Sequence, residues 1–403
     1  MGLRGCLVPL VRWIVQDEGG VMRKTYLLTP GPTPVAPSTS LTMAQPIIHH
    51  RAPDYVEVFQ EVREGLKYVF QTRHEVLLFA SSGTGAMEGA ITNTLSPGDR
   101  VLVIRGGKFG ERWSEICQSY GVVPVNLDVE WGSAVRPEQV REALDKDPGI
   151  KAVLVQASET STGVMHPVKE IGEIVRQREE AILVVDAITG LGVFDLKTDA
   201  WGLDVVVSGS QKALMLPPGL AFASVSPKAW GFVERSRLPR FYFDFRKELD
   251  SAKKNQNAYT PAVSLILGLR EVLQKIREET LEGVFERHSR MAKATREAVR
   301  ALGLELLAPE SPSNALTAVK APAGVDAQSL VRHLWGRYGI RVAGGQGHLK
   351  GKILRIAHLG FMDTFDVVIA ISALEMTMKD LELPVELGRG VGIAEEILAR
   401  GLQ

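Results

Sequence analysis

The segment DVVVSGSQKALMLPPG (204–219) holds the side chain best placed to do chemistry. A β-rich run ends in Ser-Gly-Ser-Gln, Lys212 follows among apolar neighbours, and a Pro-Pro-Gly turn closes the segment. A lysine ordinarily snorkels its ammonium group out to water. At the end of a buried strand that ammonium is desolvated, which frees the amine as a nucleophile toward an aldehyde. Asp186 ends a second apolar run, ILVVD (182–186), at the same expected sheet edge; its plainer role is a helix cap. Ser81-Ser82-Gly83-Thr84-Gly85 follows VLLFA (76–80) and opens a helical stretch, so N–H groups and hydroxyls there suit a phosphate. Simple N-capping by Thr84 is the alternative. In RGGKFG (105–110), Phe109 offers a ring for stacking, or a core anchor. Arg355, between apolar residues of ILRIAHLG (353–360), has a planar fork that fits a carboxylate through two parallel hydrogen bonds. An internal ion pair is its structural alternative.

An amine nucleophile, a carboxylate for a protonated pyridine nitrogen, a phosphate cradle and a stacking ring are together the parts of a pyridoxal 5'-phosphate (PLP) site. The elements that must carry them are visible in the pattern. Seven β-rich runs, at 76–80, 100–104, 122–129, 151–156, 182–186, 204–209 and 220–225, alternate with helical stretches such as 136–146 and 168–179. Most runs are continuously apolar, as in strands covered on both faces of a mainly parallel sheet. This predicts a doubly wound α/β architecture with its site at the carboxyl ends of the strands. After residue 259 the texture changes: Thr260-Pro261 starts an apolar-periodic segment reaching about 303, predicted as one long connecting helix. Short strands (LTAVKAP, ILRIAHLG) then alternate with helices at 325–338 and 364–380. The chain is thus divided into an extension (1–21), a large domain with an extended Pro-rich arm (22–259), and a long helix with a smaller C-terminal α+β domain (260–403).

Composition removes other classes. A chain of 403 residues can bury a large core without disulfides or metals. Lys plus Arg (47) balances Asp plus Glu (47), so no basic field exists to hold nucleic acid or an acidic membrane. Two cysteines, Cys6 and Cys117, make neither a disulfide framework nor a zinc site, and point to a reducing, cytoplasmic setting. Without a His-Glu-x-x-His or other ligand spacing, no catalytic metal is expected. The apolar stretch near the amino terminus is interrupted by Arg12, and Cys6 stands where a myristoylation signal needs Ser or Thr.

The motifs SGSQK with PPG, VDAITGLG (185–192), SSGTGAMEGA (81–90) and ASETSTG (157–163) resemble fold-type I PLP enzymes of aminotransferase class V. The resemblance is to the alanine–glyoxylate and serine–pyruvate aminotransferase group, and runs from about residue 29 to beyond 360. It implies that Lys212 carries the cofactor as a Schiff base and that Asp186 meets the pyridinium. It further implies phosphate contacts from Ser82, Gly83, Thr84 and Gln211, and a contact of Thr160 near the phenolic oxygen. Phe109 stands where a tryptophan is common. Thr260 matches a residue reaching the neighbouring subunit's phosphate, and a family tyrosine falls on Asn257 or Tyr259. Arg355 matches the substrate-carboxylate arginine, and the backbone at Pro30-Gly31 closes over substrate. The implied protein is a homodimer moving the amino group of L-alanine or L-serine to glyoxylate or pyruvate. Rival class V chemistries are 2-aminoethylphosphonate–pyruvate and ureidoglycine–glyoxylate transfer; a desulfurase would need a cysteine on a mobile loop, whereas Cys117 falls in a predicted helix. Relatives labelled hydrogenase subunits keep open a noncatalytic place in a redox assembly.

Overall fold

The computed structural model describes residues 24–400, so the extension at 1–21 lies outside the described residues. All seven apolar runs become strands of one sheet: β1 (Val76–Ser81), β2 (Arg100–Arg105), β3 (Val123–Asp128), β4 (Ile150–Gln156), β5 (Ile182–Asp186), β6 (Val205–Gly209) and β7 (Gly219–Val225). Their order across the sheet is β1-β7-β6-β5-β4-β2-β3. Every residue of β5 and β6 is buried, because helices cover both faces; the edge strand β3 is half-exposed along its length. Strand β7 runs antiparallel to both β6 and β1. The few residues between Gly209 and Gly219 explain this: a parallel return needs a crossover of about a dozen residues or more. The other pairings are parallel, so β1, β2, β4, β5 and β6 all end on one edge.

Helix α1 (Pro53–Phe70) and helix α4 (Val263–Glu279) pack together on one face of this sheet. Helices α2 (Gly83–Thr94) and α3 (Lys108–Ser119) follow β1 and β2 directly. The segment predicted as one long helix is two: α4 ends at Glu279, and α5 (Leu281–Ala301) begins after Thr280. Thr280 sits at φ 66°, unusual for a β-branched residue, while its hydroxyl accepts the Gly283 N–H at 3.2 Å and caps α5. The apolar period continues across the break, so periodicity alone does not reveal it.

The C-terminal part builds a second core around a three-stranded antiparallel sheet: β8 (Leu316–Lys320), β9 (Ala343–Gly344) and β10 (Ile353–Ala357), in the order β8-β10-β9. Helices Ala327–Tyr338 and Thr364–Asp380 fall where the pattern puts them. The amino-terminal arm belongs to this second core rather than to the large sheet. Tyr26–Leu27 pairs in parallel with Ile340–Arg341, and Leu28 is buried among the C-terminal apolar residues. From there the arm runs back to the carboxyl edge of the large sheet at Pro30. Among the described residues no helix is long and apolar enough to cross a membrane.

Candidate active site

The carboxyl edge of the large sheet gathers the chemistry. Lys212 follows β6 in a turn stitched by Ser210, whose hydroxyl donates to the Pro217 carbonyl at 2.7 Å and accepts the Leu220 N–H at 3.1 Å. The lysine carbonyl is held by the Thr33 hydroxyl at 2.9 Å. Its partly buried amine donates to the Pro30 carbonyl of the arm. Gly31, at φ 137°, is required here twice over: any Cβ would collide with the Lys212 amine, and the conformation suits glycine. Desolvation pulls the Lys212 amine down to about 8; the Asp186 carboxylate opposes that, while Arg355 and Arg112 reinforce it.

Asp186 ends β5 and is buried. One carboxylate oxygen accepts the Ile188 N–H at 2.8 Å, so the cap-like alternative accounts for only part of its bonding capacity. Burial, assisted by the charge of Glu159, pushes its carboxyl up to about 7, against the pull of Lys212 and Arg112. Gln156 ends the neighbouring β4 in register with Asp186, fully buried, with neither amide atom bonded to protein.

After β1, helix α2 opens at Gly83 behind Ser82, and no side chain caps it. Thr84 therefore does not act as an N-cap; its hydroxyl accepts from Arg112 at 3.3 Å. The first N–H groups of a helix lack partners further along it, and this helix starts at the carboxyl end of β1. Gln211 lies beside it: a Cβ built on Gly209 would stand 3.0 Å from Gln211 Oε1 and 3.2 Å from the Gly83 nitrogen. That Gln211 oxygen is buried without a protein partner. Phe109, in the first turn of α3, carries the Arg112 guanidinium 4.9 Å from its ring centroid.

Thr160 follows β4; its hydroxyl shares a 2.7 Å hydrogen bond with Thr189, and its carbonyl accepts from Arg355 at 2.9 Å. Arg355, on β10, is buried and spends its other donors on the Gly344 carbonyl at 2.8 and 3.0 Å. Backbone oxygens hold the guanidinium in place without neutralising it, so the internal ion pair is not what fixes it. Burial lowers Arg355 to about 10, with Glu159 acting against that.

Thr260 is not brought into this cluster. It is exposed, on the rim of a small cleft with Tyr242, Glu248 and Tyr259. Asn257 is buried and bonded to Tyr55 and Glu248, while the Tyr259 hydroxyl donates to the Phe241 carbonyl at 2.8 Å. Sequence reading missed three members of the site. Gln156 had a signal, a polar residue closing an apolar strand, and so did Glu159, a carboxylate inside ASETSTG; Arg112, on an ordinary amphipathic helix, had none.

Comparison with known proteins matches residues 38–361 to the aminotransferase class-V family model. A relative named L-aspartate–glyoxylate aminotransferase, from Paracoccus denitrificans, is 41% identical over 92% of this chain and 95% of its own. A protein of Synechococcus sp. named soluble hydrogenase, small subunit, is 44% identical over 93% of this chain and 99% of its own. The solved alanine–glyoxylate aminotransferase of Nostoc sp. superposes with a TM-score of 0.85 at 31% identity, covering 93% of this chain and 98% of that one. The chain belongs to the class V aminotransferases, enzymes of the fold-type I group. Its cofactor is therefore pyridoxal 5'-phosphate.

The residues present fit that group. An uncapped helix start with the Gln211 amide beside it suits a phosphate, and a buried carboxyl near a desolvated amine suits a ring nitrogen and an aldehyde. A pH dependence follows from the lowered amine. The rate at which cofactor-free protein recaptures PLP, read by stopped-flow absorbance, is expected to rise through a midpoint near 8 and level off above it. A midpoint near the ordinary lysine value of about 10.4 contradicts the desolvated amine.

Proposed function

We propose that the enzyme transfers the amino group of L-alanine or L-serine to glyoxylate or pyruvate in two ping-pong halves, as a homodimer in the cytoplasm. The observation that carries the reading is the joint placement of a desolvated Lys212 amine and a buried Arg355 held by backbone carbonyls. Arg355 takes the α-carboxylate of both amino and keto acid, which fixes the Cα–H bond relative to Lys212. The Lys212 amine, drawn down to about 8 so that a usable fraction is neutral near physiological pH, accepts the proton from the substrate α-carbon and would donate it at the cofactor's former aldehyde carbon. Bound at Lys212, PLP supplies an electron sink for the charge left on the α-carbon.

Asp186 places a negative charge at the ring nitrogen and holds a proton there. Ser82, Gly83, Thr84 and Gln211 bind the phosphate, Thr160 contacts the phenolic oxygen, and Phe109 stacks on the ring. Gly31 and Pro30 let the arm close over the substrate and exclude water. Thr260, exposed at the start of the second unit, reaches the second subunit's phosphate. The large unit spans 22–259 and the smaller one 260–403, and the arm's pairing with Ile340–Arg341 ties them across the site.

Arg355→Lys keeps the charge but loses the fork. The KM for both amino and keto acid is expected to rise roughly 10–100-fold while the visible cofactor band is retained. Unchanged KM values exclude Arg355 from the carboxylate site.

Amination of glyoxylate by alanine, serine, aspartate and 2-aminoethylphosphonate, assayed side by side, tests the substrate reading. Alanine or serine is expected to exceed the others in kcat/KM by about tenfold or more, the scale one differing group commands. Preference for aspartate or the phosphonate overturns it. The name of the Synechococcus relative favours a second reading, a noncatalytic redox subunit. Cys117 gives it no support: it is buried in α3, with its thiol pushed up to about 12 by burial. Purified protein that stays colourless and takes up no PLP would favour that second reading.

A further inference from the structure

Glu159 is fully buried in the segment between β4 and the Thr160 position. Burying a carboxylate is costly unless hydrogen bonds hold it. Its oxygens accept the Gly110 N–H at 3.0 Å, the Phe109 N–H at 3.2 Å, the Ser161 N–H at 3.1 Å and the Ser161 hydroxyl at 2.5 Å. Two of these donors are orphan N–H groups in the first turn of α3, where a negative charge is also favoured by the helix dipole. Ser161 tightens the same junction, since its hydroxyl oxygen accepts the Lys108 N–H at 2.9 Å. A Cβ on Gly107 would strike the Glu159 carboxylate, so the chain approaches as closely as it can. The next residue, Thr160, shares a hydroxyl hydrogen bond with Thr189 and gives its carbonyl to Arg355. One buried carboxylate therefore fixes the backbone that carries the stacking ring and adjoins the residue that fixes the guanidinium. An apolar side chain would fill the space but leave the Phe109, Gly110 and Ser161 N–H groups without their acceptor.

We propose that Glu159 is a positioning residue that seats Phe109 against the cofactor ring by anchoring the first turn of α3 through the Phe109 and Gly110 N–H groups. The inference rests on the PLP reading of the site. Glu159→Gln keeps the shape but removes the charge and turns one acceptor into a donor facing donors.

The test is a double-mutant cycle on the rate at which full-length holoenzyme releases PLP, followed by loss of the visible band in wild type, E159Q, F109A and E159Q/F109A. Release from E159Q is expected to be about tenfold faster than from wild type, the scale of a lost charge-assisted hydrogen bond. With Phe109 already gone, adding E159Q is expected to change the rate by less than about twofold, because the carboxylate acts through that ring. Additive effects, or wild-type release from E159Q, overturn the proposal. If E159Q does not fold, Ser161→Ala replaces it in the same cycle: acceleration by about threefold, absent in the F109A background, is expected, and no acceleration or an additive one overturns the proposal. Wild-type protein that carries no PLP would instead remove the functional reading on which it rests.

Discussion

Lys212→Ala is expected to lower transamination by at least about 10⁴-fold and to abolish the visible band that PLP gives the wild-type protein. The size follows from the two roles proposed for one amine, anchoring the cofactor and moving the α-proton. The protein itself should remain folded, because the turn is held by the Ser210 hydroxyl and the Lys212 carbonyl, both of which alanine keeps. Lys212→Arg separates charge from nucleophilicity, and should be as inactive as alanine. Single-turnover assays with alanine, beside circular dichroism of both variants, check the result. Activity within about tenfold of wild type in either variant would place the chemistry elsewhere.

The second large effect concerns Asp186 and has two opposite signs. Asp186→Asn is expected to cost roughly 10²–10³-fold in kcat, as expected when a preorganised charge is removed from a reaction centre. The same change should stabilise the cofactor-free protein. The folded-state carboxyl lies near 7, above its ordinary 3.8, because burial penalises the charge. Its favourable contribution is thus complete below about pH 4 and is lost as pH rises to about 7; asparagine has no such loss. At pH 8 the cofactor-free variant should exceed wild type by on the order of 2–4 kcal/mol, and at pH 4 by much less. Denaturant unfolding at the two pH values reads this directly. A stability gap that does not change with pH would mean that Asp186 is already solvated in the folded protein.

Much of this site is legible in the sequence because the sheet does the positioning. An apolar run followed by a polar residue marks a strand end, and parallel strands place those ends on one edge. Asp186, Lys212 and the Ser82–Thr84 loop share that edge for this reason. Arg355 was legible from its isolation among apolar neighbours, although the carbonyls of Thr160 and Gly344 that hold it come from distant segments. Contacts of that kind leave no local trace. Glu159 stands in a quoted motif, yet its function depends on N–H groups of a helix some fifty residues earlier in the chain. The break at Thr280 leaves no trace in the pattern, because a side-chain cap and not a glycine or proline makes it while the apolar period continues. The prolines keep the arm out of a helix up to residue 36, but its pairing with Ile340–Arg341 is a long-range choice that no pattern at residues 26–37 specifies.

The account stands on one covalent attachment. Borohydride reduction of the wild-type holoenzyme, followed by proteolysis and mass mapping, should find the reduced pyridoxyl phosphate mass on the peptide containing Lys212 and on no other. Finding that mass on a different lysine, or on none, would contradict the account at its root.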